Sequence, residues 1–182
     1  MKVEGLNIHP LKSGRAIPVE SAAVRLDGLV GDRRFMVVEP DGRFITQREL
    51  QALARVEATA VGESLHLEME GRQLLASFDS EDRLDVTIWD SPVNAAVADE
   101  AVNEVLSDWL ARPVKLVHMD AQAERLEGEE WAGTPAPVGF ADGFHVLVTT
   151  SGSLADLNRD LVAKGQEPVG MERFRTNILV SC

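Results

Sequence analysis

Hydrophobic and polar positions alternate along much of the first two-thirds of the chain. This period of two is typical of strands that bury one face. Residues 35–38 are instead continuously apolar, as expected of a strand buried on both faces, and the Pro-Asp-Gly sequence at 40–42 predicts a turn after them. Short strands with frequent turn signals favour a barrel or sandwich. The alternating segments are residues 20–26, 65–69 and 84–89.

Three segments have helical signals instead. Residues 46–49 have the Thr-x-x-Glu form of a capping box, which predicts a short helix after it. A second helix is expected to begin after Asp99 and to stop before Pro113, and a third to begin near residue 153 and end before Gly165. The apolar face of the second helix comprises Val102, Val105, Leu106, Trp109 and Leu110.

These elements predict a mainly β fold with helices (α+β), organised as two units. Residues 1–120 are expected to form an antiparallel β-barrel domain, with residues 121–182 as a second β-rich unit. The boundary follows from a linker-like stretch at 124–143, which is acidic and then rich in glycine and proline. The strands expected in the second unit lie at 145–149 and 177–180. About sixty residues bury little surface on their own, so the second unit is expected to be incomplete.

Composition narrows the class of protein. The 182 residues are 45% hydrophobic, which is typical of a packed domain and excludes global disorder. No apolar run approaches the ~20 residues that span a bilayer, and we expect no signal peptide. The single cysteine excludes an internal disulfide and a cysteine-based metal site in one copy, which favours a reducing cytoplasm. Four dispersed histidines offer no metal-ligand spacing, so no metal ligand is assigned.

Charge is unevenly distributed along the chain. The net charge is −12, which argues against nucleic-acid binding, yet residues 1–55 hold nine bases and seven acids. A small anionic ligand is therefore best sought among the cations near the start of the chain. Lys12 and Ser13 follow the first strand, and Arg33 enters the apolar strand at 35–38 beside Asp32. An inward arginine needs Asp32, a bound anion or both, because an unpaired buried guanidinium is very costly.

Five segments, taken together and in order, resemble the MOSC-domain proteins. The resemblance is nearest to the bacterial relatives of the mitochondrial amidoxime-reducing component. It implies an N-terminal β-barrel domain followed by the beginning of a MOSC domain, with a molybdenum cofactor (a pterin dithiolene with a phosphate tail) between them. The segments are residues 9–13, 28–33, 44–48, 153–158 and 174–178.

The resemblance also implies roles for individual residues. The first domain would contribute cations and a hydroxyl to the cofactor, the second domain a cation, an amide and backbone donors, and Arg48 would face the substrate. The family's metal-ligating cysteine lies beyond the Asn177 strand, so Cys182 is not assigned as a ligand. The chain is expected to be either a fragment, which the incomplete second unit favours, or a naturally short member without the redox centre. The implied cofactor-binding residues are Lys12, Ser13, Arg33, Gly143, Phe144, Arg175 and Asn177.

The leading interpretation is a cytoplasmic molybdenum-cofactor oxidoreductase that reduces N-hydroxylated compounds. Its electrons would come from a ferredoxin-like domain or a separate reductase, and neither nucleic acid nor a membrane is an expected partner. One alternative is a carrier module that holds the molybdenum cofactor or pyridoxal phosphate without redox chemistry. A second is an acidic interaction domain without a ligand, in which Arg33 is merely paired with Asp32. If a ligand binds, Lys12, Arg33 and Arg175 should converge on one cleft, and Arg33→Ala should cost the fold little.

Overall fold

The computed structural model describes residues 1–128, 130 and 133–181, and within them the fold is mainly β with helices, as predicted. The helices are α1 (Glu100–Leu110) and α2 (Ser151–Ala163), and 3₁₀ turns lie at Gln51–Arg55 and Met171–Phe174. The strands are β1 (Val3–Ile8), β2 (Ile17–Pro18), β3 (Val24–Arg25), β4 (Gly28–Leu29), β5 (Phe35–Val38), β6 (Glu57–Val61), β7 (Ser64–Met69), β8 (Arg72–Ala76), β9 (Arg83–Ile88), β10 (Ser91–Val97), β11 (Lys115–His118), β12 (Leu126–Glu127), β13 (Ala136–Pro137), β14 (Val148–Thr150) and β15 (Ile178–Val180).

Strand β5 separates two hydrophobic cores. It is the edge of an antiparallel sheet with the order β5-β11-β10-β9. Because side chains alternate along a strand, Phe35 and Val37 pack into one core, with α1 and the β6-β7-β8 sheet. Met36 and Val38 pack into the other core, with β9 and β10. This two-sided burial explains the continuous apolar run at 35–38, and the turn predicted after it is present, with Gly42 N–H donating to the Glu39 carbonyl.

A third sheet joins the start of the chain to its last described strand. Its order is β14-β15-β1-β2, with β1 antiparallel to β15 and β15 parallel to β14. Helix α2 makes the crossover between the two parallel strands. The predicted units 1–120 and 121–182 therefore share a sheet, and the division at residue 120 stays a prediction.

Several predicted elements differ from the structure. Residues 20–26 contain only the two-residue strand β3, because Val24 and Leu26 are exposed and gain no burial by pairing. The predicted strand at 145–149 begins only at Val148, which is also exposed. Within the linker-like stretch at 124–143, β12 and β13 pair as a short ladder.

The helix starts also differ in detail. The segment at 46–49 forms a turn, and the helical residues begin only at Gln51, as a 3₁₀ turn. Asp99 precedes α1 as predicted, but its carboxylate accepts a hydrogen bond from Ser77 instead of capping the helix. Helix α2 is capped by the hydroxyl of Thr150, which accepts from the Ser153 N–H at 2.9 Å. None of the residues of α2 is fully buried.

Within the described part of the chain, no helix combines the length and the apolar character needed to cross a membrane.

The buried face of α1 provides a test of the first core. Leu106 is fully buried in this core, whereas Val105, the next residue on the same helix, is 37% exposed despite its predicted place on the apolar face. We expect Leu106→Ala to lower the free energy of unfolding by about 3 kcal/mol, because it removes buried methyl groups and leaves a cavity. Val105→Ala is the matched control and should cost well under about 1 kcal/mol. Urea denaturation measures both, and equal losses would contradict this packing.

Candidate functional site

A cleft of about 310 Å³ lies where six connecting segments meet, and it collects the predicted site residues. Four of the segments follow β1, precede β5, precede β14 and precede β15, and the other two follow β5 and join β9 to β10. The structure therefore brings together residues up to about 160 positions apart in the sequence, while their roles toward a ligand stay predictions. The predicted residues that line the cleft are Lys12, Ser13, Arg33, Arg48, Gly143, Phe144, Arg175 and Asn177.

Unusual backbone conformations concentrate in this cleft. Six non-glycine residues of the described chain have a positive φ, and four of them line the cleft: Ser13 (66°), Arg33 (48°), Trp89 (52°) and Arg175 (55°). A left-handed conformation costs an L-residue about 1–2 kcal/mol, so it persists only where the surrounding contacts enforce it. Strain of this kind clusters at functional sites, which makes the cleft the leading candidate in this fold.

Lys12 is a buried cation and not an exposed turn lysine. Residues 10–12 run beside β5, with the Lys12 N–H donating to the Phe35 carbonyl at 2.7 Å. The Nζ atom donates to the Phe140 carbonyl at 2.8 Å and to Asp142 Oδ1 at 2.5 Å. Burial lowers the pKa of Lys12, and the carboxylate of Asp142 opposes that shift. An ammonium has three donors, so one N–H remains for a further acceptor.

Arg33 connects the segment before β5 to the segment before β15. Its guanidinium pairs with Asp32 and donates to Asn177 Oδ1 at 2.8 Å and to the Arg175 carbonyl at 3.0 Å. Arg33 thus pairs with Asp32, as expected for a protein without a ligand. It also lies in the same cleft as Lys12 and Arg175, as expected for a protein that binds one. Against the expectation that Arg33→Ala costs the fold little, these contacts predict a loss of stability, because the substitution would leave a buried Asp32 carboxylate without its countercharge.

Arg175 presents a donor that the protein itself does not use. It follows the 3₁₀ turn Met171–Phe174 directly, so the chain is not extended on its approach to Arg175. One guanidinium nitrogen donates to the Gly14 carbonyl, whereas Nη2 is buried without a partner in the described structure. Burial, reinforced by the charge of Arg33, lowers the pKa of Arg175 to about 10.

The side-chain amide of Asn177 uses its hydrogen bonds within the protein and has none left for a ligand. Its Nδ2 donates to the Asn7 carbonyl and to Asp32 Oδ1, both at 3.1 Å. Its Oδ1 accepts from the Leu147 N–H at 3.1 Å and from Arg33. These four bonds use the full capacity of the amide, so the contact with a cofactor that the resemblance implies for Asn177 would require one of them to break.

Sequence reasoning missed two side chains that shape the cleft, Arg125 and Trp89. Arg125 is buried and donates to the carbonyls of Gly139 and Ala141, at 2.9 and 2.6 Å, which fixes the loop that carries Asp142. Trp89 turns its indole Nε1 to Asp142 Oδ1 at 3.3 Å. The only sequence signal for Arg125 is a lone cation within an acidic segment, and that pattern is far more often a solvated residue.

His9 lies buried beneath the cations with both ring nitrogens unpaired in the described structure. Burial, together with the charges of Arg33 and Arg175, lowers the pKa of His9 to about 3. The backbone N–H of His9, not the ring, donates to Asp32 Oδ1 at 2.7 Å. With a pKa this low, the His9 imidazole is neutral at physiological pH, because its protonated form would be repelled by Arg33 and Arg175.

Comparisons with known proteins agree with the architecture. The sequence profile of the family described as "MOSC N-terminal beta barrel domain" matches residues 1–113. The chain is 30% identical over 193 residues to mitochondrial amidoxime-reducing component 1 of Danio rerio, covering 98% of this chain and 58% of that protein. It is 23% identical to a molybdenum cofactor sulfurase of Oryza sativa subsp. japonica, covering 98% of this chain and 24% of the sulfurase.

The chain thus spans a little over half of the length of the amidoxime-reducing relatives that it matches, including 56% of the human component 1. A solution structure of a Bordetella bronchiseptica protein superposes with a TM-score of 0.40 at 19% identity, over 56% of this chain and 92% of the other. A superposition this loose does not establish a shared fold.

The contacts of Arg33 generate a stability prediction. We expect Arg33→Ala to lower the free energy of unfolding by about 3 kcal/mol, because the buried Asp32 carboxylate loses its countercharge. Arg48→Ala is the matched control: Arg48 lines the same cleft but is exposed, and no ion pair of its side chain is found in the described structure. Its loss should change stability by less than about 0.5 kcal/mol. Chemical denaturation of both variants without added ligand measures the difference, and equal effects would contradict the network.

His9 generates a pH prediction. The unfolded chain protonates this imidazole below its ordinary pKa of 6.5, whereas the folded protein does so only near pH 3. The free energy of unfolding should therefore fall as pH decreases from about 6.5, by up to about 1.4 kcal/mol per pH unit from this residue. Urea denaturation between pH 7.5 and 5 measures the slope, which should become shallower in His9→Asn. The remaining slope includes His118, whose pKa burial lowers to about 4. An unchanged slope in the variant would show that His9 does not act in this way.

Proposed function

Because this chain belongs to the MOSC N-terminal β-barrel domain family, we propose that its cationic cleft binds a molybdenum cofactor and that the whole protein reduces N-hydroxylated compounds. The names of the relatives, an amidoxime-reducing component and a molybdenum cofactor sulfurase, support a role connected with this cofactor. One observation carries the proposal. Lys12, Arg33 and Arg175 come from three distant segments and line a single cleft.

The residues present fit a planar group with an anionic tail. The buried Nη2 of Arg175 has no hydrogen-bond partner in the described structure, and such a donor is costly unless an acceptor normally meets it. The volume of about 310 Å³ lies at the lower end of small-molecule cavities, which begin near 300 Å³. Trp89, Phe144 and Phe174 line the cleft with exposed aromatic rings, which suit the face of a heterocycle.

Each cleft residue has a separate part in this binding. The free N–H of Lys12, the hydroxyl of Ser13 and Nη2 of Arg175 would bind the anionic tail, with charge-assisted hydrogen bonds from the two cations. Arg33 would act through its bonds to Asp32 and Asn177, which hold the cleft walls in register. The backbone N–H groups of Gly143 and Phe144, which donate to no described residue, would add neutral donors.

The substrate would enter from the exposed side of the cleft. Arg48 and Trp89 lie there, so a guanidinium and an indole ring would meet an incoming polar compound. When bound, the cofactor supplies two-electron removal of an oxygen atom from an N–OH group. The electrons would come from a ferredoxin-like domain or a separate reductase, and we place the protein in the cytoplasm. Cys182 lies outside the described residues and is assigned no role.

A carrier of the same cofactor, without redox chemistry, is the second candidate. It would use the same cations, and the sulfurase relative is itself named for handling the cofactor. Activity of the complete protein separates the two candidates. With a chemical reductant, an amidoxime such as benzamidoxime should be converted to the amidine by a reductase and left unchanged by a carrier. Pyridoxal phosphate draws no support from the names of the relatives.

Cofactor binding itself can be tested on the 182-residue chain. We add molybdenum cofactor released anaerobically from a denatured molybdoenzyme and measure the pterin that co-elutes with the protein. Lys12→Met should weaken binding at least tenfold, because it removes a desolvated charge from the anion site. The variant should fold, since methionine is apolar and the Asp142 that it leaves is 68% exposed.

Arg55→Met is the matched control, because Arg55 is an exposed cation that pairs with Glu70 outside the cleft. It should bind the cofactor as the wild type does. Binding of the wild type should also weaken as salt rises from about 0.05 to 0.5 M, where screening shortens the reach of the cations. Equal losses of cofactor binding in Lys12→Met and Arg55→Met, or unchanged binding in Lys12→Met, would contradict the proposed site.

A further inference from the structure

A carboxylate of the protein occupies the open side of the buried lysine. Asp142 Oδ1 lies 2.5 Å from Lys12 Nζ, and the two side chains differ sharply in exposure, at 68% for Asp142 and 6% for Lys12. The same oxygen accepts from Trp89 Nε1 at 3.3 Å. Asp142 thus stands between the ammonium and solvent, where an anion using Lys12 would arrive.

Asp142 is also the one acid among the described residues that line the cleft. Five cationic residues line it with Asp142: Lys12, Arg33, Arg48, Arg173 and Arg175. Burial opposes ionisation of Asp142, but the charge and hydrogen bond of Lys12 hold the pKa of this carboxyl below its ordinary value. The carboxylate is therefore ionised at neutral pH and competes electrostatically with any incoming anion.

The loop segment that precedes Asp142 is fixed by hydrogen bonds to cationic side chains. Residues 139–141 are held by Arg125 through two carbonyls and by Lys12 through the Phe140 carbonyl. The Phe140 N–H also donates to the Arg33 carbonyl at 2.8 Å. Beyond Ala141 the packing is looser, since a Cβ added at Gly143 would meet no atom within 4 Å and Phe144 is exposed. In the described structure, the hydrogen bonds of the Asp142 side chain go to Lys12 and Trp89.

We propose that Asp142 is an internal competing anion, which neutralises Lys12 in the empty cleft and must be displaced when an anionic group binds. This inference rests on the proposed anion site. This displacement makes Asp142 a specificity-determining residue. A ligand that contacts Lys12 must replace the Lys12–Asp142 ion pair, so its binding is favourable only if it interacts with Lys12 more strongly than the Asp142 carboxylate does. A phosphate dianion meets that condition through its greater charge and its extra acceptor oxygens. A simple carboxylate, equal in charge to Asp142, does not.

Calorimetric titration with inorganic phosphate and with acetate, at pH 7 and low salt, tests this assignment. Asp142→Asn should bind phosphate about tenfold or more tightly than the wild type, since the competing charge is gone. Acetate should bind measurably only to the variant. Adding Lys12→Met to Asp142→Asn should abolish the gain, which locates it at this ammonium. Asp156→Asn is the matched control, an exposed acid paired with Arg159 on α2, and should bind phosphate as the wild type does.

The outcomes separate this inference from the proposed function. Phosphate binding of equal strength to the wild type and Asp142→Asn would overturn the inference and leave the anion site standing. Weaker binding by Asp142→Asn would also overturn it, by making Asp142 a residue that orients Lys12 for the ligand. Acetate binding to the wild type would refute the selectivity. If phosphate binds neither protein, the anion site and the inference fail together.

Discussion

A buried network of Asp32, Arg33 and Asn177 is the constraint on which the arrangement of the cleft depends. Asp32 accepts from the His9 N–H and from Asn177 and pairs with Arg33, so one carboxylate links the end of β1, the segment before β5 and the start of β15. Because these groups lie away from water, each lost bond leaves an unsatisfied polar atom that costs about 1–3 kcal/mol. The loops that form the cleft are consequently held in one relative position.

This rigidity allows the cleft to hold cations and strained backbone together. Lys12, Arg33 and Arg175 repel one another, and the lowered pKa values of Lys12 and Arg175 express the cost of keeping charge in this poorly solvated place. Left-handed backbone at Ser13, Arg33 and Arg175 adds further strain. A fold tolerates such an arrangement when the surrounding contacts enforce it and a bound anion offsets it. Asp142 supplies part of that offset within the protein itself.

The contrast between the cleft and the remainder of the chain follows from the same electrostatics. The protein carries a net charge of −12, yet the described ionisable residues that line the cleft are five cations and one acid. An acidic exterior repels polyanions over long range, whereas a recessed cationic cleft acts at short range on a small anion that enters it.

Sequence alone determined the features that depend on local pattern. The two-sided burial of β5, the turn after it, the extent of α1 and the glycine at the end of α2 follow from periodicity and turn chemistry, and the motifs identified the cations of the cleft. Tertiary structure decided what those cations contact. What Arg33 contacts besides its neighbour Asp32, whether Lys12 is exposed, and whether Asn177 has a free donor all depend on segments more than a hundred residues apart. Arg125 and Asp142 had no distinctive local signal, because their importance comes from the carbonyls and the ammonium that the fold brings to them. Local pattern specifies which face of an element is buried, but only the packed chain specifies which polar groups meet there.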